Sequence, residues 1–305
     1  MICFSQKPGV CFDIAPKEAK PAWTAQTTDG CVTRLAGAVF SPDGTLLVGK
    51  TNDEEIGIWR CEGGILLKMV LDEDSAFEIH PVQLSHDNSK LLCLDWENDR
   101  VLLMNVVDGS TIHEIECDST LAVARLSPDS RCIAIGTREG QLTLWNAETG
   151  EKISDFMKSD KEIRCLDFSP DNRLLISGGK DGLARLWNVE TGEEIRTHEG
   201  HQGDIFWQAL SRDGRFLAYF DNSEVRVINL ETRSRIARIR AGAASDLRFG
   251  DDLQTISFND FRGRLSASFQ STPSTVSICT IKTSRTPRSG LRHQQGRIPP
   301  IGNFI

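Results

Sequence analysis

His198 and His201, with Glu199 between them, are the residues whose types and spacing point most directly to metal chemistry. A zinc site needs three or four converging ligands, and no further ligands cluster near this pair. Ser177-Gly178-Gly179-Lys180 is rich in glycine. It falls at a turn between strands, however, rather than at a helix N-terminus, where a phosphate would be cradled. The acidic runs Asn52–Glu55 and Asp72–Asp74 lack the ligand spacing of a calcium loop and read as solvated surface. No GxSxG, HExxH, Walker or GxGxxG pattern is present. The nine cysteines are scattered and odd in number, with no CxxC pair, which suits reduced thiols in a cytoplasmic chain. No catalytic, cofactor-binding or metal-ligating residue is therefore assigned, and the chain is expected not to be an enzyme.

The elements that carry these residues are set by a repeat. An apolar residue, Ser, a variable residue and Asp recur as Phe40–Asp43, Leu84–Asp87, Leu126–Asp129, Phe168–Asp171 and Leu210–Asp213, about 42 residues apart. An eroded sixth copy is Phe249–Asp252. Ser, Pro and Asp make a tight turn, because proline presets φ and the polar side chains bond nearby backbone. Around each turn, alternating apolar runs predict antiparallel strands. First strands are expected at Leu35–Phe40, Ile79–Leu84, Leu121–Leu126, Ile163–Phe168, Ile205–Leu210 and Ala244–Phe249. A third strand ends at Trp59-Arg60, Met104-Asn105, Trp145-Asn146, Trp187-Asn188 and Ile228-Asn229, and a polar fourth strand follows, suited to an outer edge.

These tetrads and Trp-Asn ends resemble the WD-repeat family. The resemblance covers roughly residues 30–260 and implies an all-β propeller of four-stranded antiparallel blades, with six recognisable repeats. The departures are specific. No copy has a literal Trp-Asp, and Gly-His occurs once, at Gly200-His201. The family's hydrogen-bonded tetrad of His, Ser or Thr, Asp and Trp is incomplete throughout, with Ser177, Asp181 and Trp187 supplying three members in the fourth copy. Trp145 and Trp187 are expected to be buried between blades.

Residues 1–29 resemble part of an additional blade, with strands at Val10–Ile14 and Ala22–Ala25. The ring has seven blades if the termini complete that blade, and is open if no companion segment exists. No Asp or Glu follows Asp260, whereas seven Lys or Arg do, so residues 1–260 carry a formal charge of about −15. Such a body argues against nucleic acid as the ligand. Residues 261–305, rich in Ser, Thr, Arg and Pro, read as a partly disordered basic tail, as the product of a displaced reading frame, or as an arm for an acidic partner. There is no signal-like apolar stretch and no membrane-spanning run.

The resemblance implies a non-catalytic scaffold for other proteins or peptides, alone or within a larger complex. The alternative is an accessory or catalytic propeller with residues lining its channel. By register, the family's partner-facing positions fall on His80, Arg138, Arg164, Lys180 and Phe206, and Trp207 is added because it follows Phe206 and aromatics with arginine commonly anchor interfaces.

Overall fold

The serine-centred turns organise the chain. In a computed structural model, the Ser41, Ser85, Ser127 and Ser211 hydroxyls each donate to the Asp two residues on at 2.6 Å, and Ser169 donates to Asp171 at 2.5 Å. The same oxygen accepts the amide that starts the next strand, as from Leu174 at 2.8 Å. The turn closes with a left-handed residue at Gly44, Asn88, Ser130, Asn172 and Gly214 (φ 60–72°). Glycine and asparagine occupy four of those five positions because they reach that region at least steric cost.

The structure describes residues 3–4, 11–12, 35–51, 55–70, 79–158, 161–198, 204–205, 207–211, 213–220, 224–230, 232, 234–241, 244–250, 255–260, 263–271 and 276–283. These form six four-stranded antiparallel sheets, each a simple meander. Blade 1 comprises Ala36–Phe40, Leu46–Lys50, Ile56–Arg60 and Ile65–Val70. Blade 2 runs from Ile79–Leu84 to Thr111–Glu116, blade 3 from Leu121–Leu126 to Lys152–Lys158, and blade 4 from Ile163–Phe168 to Glu194–His198. Blade 5 opens at Trp207–Leu210 and ends at Arg235–Arg240. Three first strands match their expected bounds, and the others begin one or two residues later.

Blade 6 changes a boundary. Its strands are Ser245–Phe249, Thr255–Asp260, Gly263–Ser271 and Val276–Thr283. The repeat therefore continues beyond Asp260, and the stretch expected to be tail supplies two strands as far as Thr283. Turn and Trp signatures are missing there, but the apolar alternation of Leu265, Ala267 and Phe269 has the period of a strand. At the other end, Cys3–Phe4 pairs antiparallel with Cys11–Phe12. The rest of residues 1–29, including the strand expected at Ala22–Ala25, lies outside the described residues, as does 284–305.

Apolar packing runs between blades rather than within them. Val48, Ile56 and Ile58 of blade 1 share one cluster with Leu84, Leu91 and Met104 of blade 2. Blades 2 and 3, 3 and 4, 4 and 5, and 5 and 6 share the next four in the same way. Trp187 is buried at 2% exposure in the core between blades 3 and 4. Trp145 also lies between blades, against the core of blades 2 and 3, but only half-buried.

Polar links reinforce the order at two radii. On the first strands, Gln83 both donates to the Leu126 carbonyl and accepts the Leu126 amide, each at 3.0 Å, and Asp167 accepts the Leu210 amide at 3.2 Å. On the fourth strands, Lys68 donates to the Val107 carbonyl (3.4 Å), His113 meets the Glu148 carbonyl (2.8 Å) and Arg196 donates to the Leu230 carbonyl. Each outer link reaches the turn between the third and fourth strands of the next blade.

Candidate functional site

In a meander, the turns between second and third strands lie at the same end as the connections between blades. Four charged residues meet at this end between blades 4 and 5. Lys180 Nζ lies 2.6 Å from Glu162 Oε2, and Arg164 reaches Asp204 Oδ2 at 2.9 Å and Glu162 Oε2 at 3.7 Å. Backbone fixes this geometry: the Lys180 amide donates to the Glu162 carbonyl at 3.0 Å, and the Ile205 amide to the Gly179 carbonyl at 3.0 Å. Gly179 is required for that closeness, since a Cβ there would stand 2.1 Å from the Glu162 oxygen. The glycine-rich stretch thus serves strand pairing rather than phosphate binding.

The expected residues fall into three groups. Arg164 and Lys180 are brought together, joined by Glu162 and Asp204. His80 lies elsewhere on the same end, its ring 4.7 Å from that of Trp96 at an interplanar angle of 42°. Arg138 is exposed, and its guanidinium has no partner among the described residues; its amide donates to the Thr120 carbonyl at 2.8 Å. Trp207 is half-buried and packs against the core of blades 5 and 6. Phe206 lies outside the described residues.

Beside Arg138 is a groove of about 320 Å³ lined by Asp99, Cys117, Asp118, Ser119, Thr120 and Glu139. Asp99 Oδ1 accepts the Leu121 amide at 2.8 Å. Asp118 and Glu139 have no cationic partner among the described residues. Burial, with Asp99 and Asp118 adding to it, pushes the Cys117 thiol up to about 12, so it stays protonated and unreactive at neutral pH. Sequence reasoning missed Glu162, Asp204 and Trp96. Glu162 and Asp204 were visible as acidic residues one repeat apart, each just before a first strand.

Comparison with known proteins accords with this architecture. The family model "WD domain, G-beta repeat" matches residues 150–188, from the fourth strand of blade 3 through the third strand of blade 4, ending just after Trp187. The chain carries a WD repeat at that stretch, and its other repeats resemble those of the WD-repeat family. It is 27% identical over 165 residues to a bromodomain and WD repeat-containing protein of Dictyostelium discoideum, a match that spans 48% of this chain and 7% of that protein. The C-terminal WD40 domain of Sif2 has the same fold, with a TM-score of 0.65 at 20% identity, over 77% of this chain and 67% of that one.

One bond of the WD-repeat tetrad is present: Trp187 Nε1 donates to Ser177 Oγ at 2.9 Å. Asp181 instead pairs with Arg185 at 2.5 Å. The central first strands carry two further charged groups, Arg125 and Asp167. Burial is the main influence on Asp167 and, opposed by Arg125 and by the Leu210 and Phe168 amides, lifts its pKa to about 6. Arg125 donates to the Ala124 carbonyl at 3.2 Å. Asp167 caps the main chain of the neighbouring blade, and no Ser, Cys or His nucleophile is hydrogen-bonded to it among the described residues.

Proposed function

We propose that this WD-repeat propeller is a non-catalytic scaffold that binds a protein segment across the end bearing the second turns. WD40 domains in general serve protein interaction, and the observation that carries the reading is unpaired charge of both signs on one rigid rim. Arg138 stands beside Asp118 and Glu139 without a cation–carboxylate pair between them. The Arg164–Glu162–Lys180–Asp204 network lies one blade further on, already ordered by main-chain bonds. Charges held in place by a rigid scaffold recognise a partner without the entropic cost of ordering them at binding. Arg138 and Lys180 call for acidic residues in the partner segment, and Asp118 and Glu139 for basic ones, so a segment of mixed charge fits this rim.

Selection of a displayed peptide library on the folded chain supplies a ligand for testing. Titration would then compare wild type with Arg138→Glu and Lys180→Glu, and with Arg173→Glu at the opposite end as control. The rim variants should lose about tenfold or more in affinity, roughly 1.4 kcal/mol, with unchanged melting. Equal binding by all four proteins, or loss in Arg173→Glu alone, would place recognition elsewhere.

A further inference from the structure

Each first strand has an inner edge without a partner strand. In blade 3 the Ser127 amide donates to the Cys132 carbonyl of the second strand, so the alternate residues Ala124 and Leu126 turn their amides and carbonyls toward the propeller axis. The penultimate side chain of the preceding first strand can satisfy such groups. Gln83 does so for Leu126, and Asp167 does so for Leu210. Arg125 holds the same register between them, but a guanidinium has no acceptor and cannot serve an inner amide. Its Nη1 curls back to the Ala124 carbonyl at 3.2 Å, which places the guanidinium on the inner edge. Among the described residues Arg125 has no other hydrogen bond and no ion pair, and Asp167 stands beyond ion-pair distance. Gln83, Arg125 and Asp167 are all half-buried, so solvent reaches them. Burial nonetheless lowers the Arg125 pKa, with Asp167 opposing it. A partly desolvated cation with donors to spare is stabilised by an anion that can accept from them.

We propose that the inner edge at the serine-turn end binds a carboxylate on the Arg125 guanidinium. Arg164 and Lys180 lie at the other end of the blades, so this site stands independently of the rim. The planar fork of arginine matches the two oxygens of a carboxylate. Asp167 selects the charge of the ligand. With a pKa of about 6, raised by burial, its carboxyl is neutral in mild acid and tolerates one negative charge beside it. Once ionised it repels any anion, and a dianion such as phosphate more strongly. Binding near neutral pH is therefore accompanied by proton uptake at Asp167. Other titratable groups around it are few. At this register Val39 and Ala209 are apolar and Arg248 is exposed. Cys165, two residues before Asp167, is kept protonated by burial. The second strands behind, Cys132–Thr137 and Leu174–Gly179, carry no acid or base besides Cys132, whose thiol burial also raises.

Titration of the full chain with acetate, acetylglycine and inorganic phosphate, each against chloride at equal ionic strength, tests the site. The amide resonances of Ala124, Leu126 and Phe168 report binding in every variant, and the Arg125 Nε–H resonance reports it wherever that residue is kept. Both carboxylates should give saturable shifts in wild type and in Arg173→Gln, an exposed arginine at the same end. Affinity should fall about tenfold or more in Arg125→Gln, and less in Arg125→Lys, which keeps the charge without the fork. Wild type should bind more weakly as pH rises through about 6, whereas Asp167→Asn should bind equally on both sides of it. Tighter binding of acetylglycine than of acetate would support the site and name a polypeptide C-terminus as its source; the reverse order would support it and name a small free acid. Absence of saturable shifts, equal affinity in Arg125→Gln, or phosphate binding more tightly than either carboxylate would each overturn the proposal. If Arg125→Gln unfolds, the lysine variant and the pH dependence in Asp167→Asn decide, and no change in either would refute it.

Discussion

Trp187 and Trp145 occupy equivalent positions in adjacent blades, and the structure separates their contributions. Trp187 is 2% exposed, its ring is met edge-on by Phe156 at 83°, and its indole donates to buried Ser177. Truncation to Ala empties a site between two blades, a change that costs about 3–5 kcal/mol. Orphaning the Ser177 hydroxyl places the cost toward the upper end of that range. Trp145 is half-buried, and its indole bonds Thr143 on its own strand at 2.9 Å, so Trp145→Ala should cost about 2 kcal/mol by area removed from water. Over a chain of this length the unfolding entropy is roughly 0.6 kcal/mol/K. The melting temperature should therefore fall by about 7 °C for Trp187→Ala and about 3 °C for Trp145→Ala. Trp187→Phe retains most of the apolar surface and isolates the hydrogen bond at about 1–2 kcal/mol. Urea titration and scanning calorimetry on the four proteins measure these values. Equal costs at the two tryptophans, or a greater one at Trp145, would refute the packing argument.

Three further outcomes follow from the geometry. The folded pKa of Asp167 is raised, so its favourable contribution is present below about pH 4 and is lost as pH rises through about 6; Asp167→Asn should match wild type at pH 4 and exceed it in stability at pH 7.5, and the reverse order in urea titrations would contradict the assignment. Asp87 is held down to about 2, first by the Ser85 hydroxyl and then by Ser89, so its contribution is present above about pH 4 and lost as pH falls through about 2; Ser85→Ala should weaken the fold by about 1 kcal/mol at pH 7, with a smaller difference at pH 2. Gly179→Ala should displace the Glu162 backbone and cost about 1–3 kcal/mol, and weaken peptide binding beyond that loss; unchanged stability would show that the neighbouring strand yields freely.

Strands were legible wherever turn chemistry was intact. Ser-x-Asp and the third-strand Trp-Asn, or Met-Asn in blade 2, each fix a register, so the strands of blades 2 to 4 could be placed from residue types alone. Blade 6 was legible only in its first half, since its later strands carry alternation without either marker and their basic, acid-free composition looks like a tail. The rim was half legible. Register found Arg164 and Lys180, but the carboxylates that hold them depend on where the blade connections fold back, which no single repeat encodes. Trp207 shows the converse: two adjacent aromatics at the start of a strand resemble an interface anchor, and alternation alone does not say which neighbour the second one meets.

The outer links have an evolutionary corollary. Lys68, His113 and Arg196 are three different side chains, and each is received by a main-chain carbonyl, at Val107, Glu148 and Leu230. A carbonyl is supplied by every amino acid. The receiving turn can therefore mutate without dissolving the joint, and the donating position needs only a long arm with a hydrogen to give. Assembly is thus decoupled from sequence identity at the circumference, and neighbouring copies can diverge independently there. Selection is left to police the shared apolar interiors and the serine turns, the parts in which the repeats of this chain still look alike.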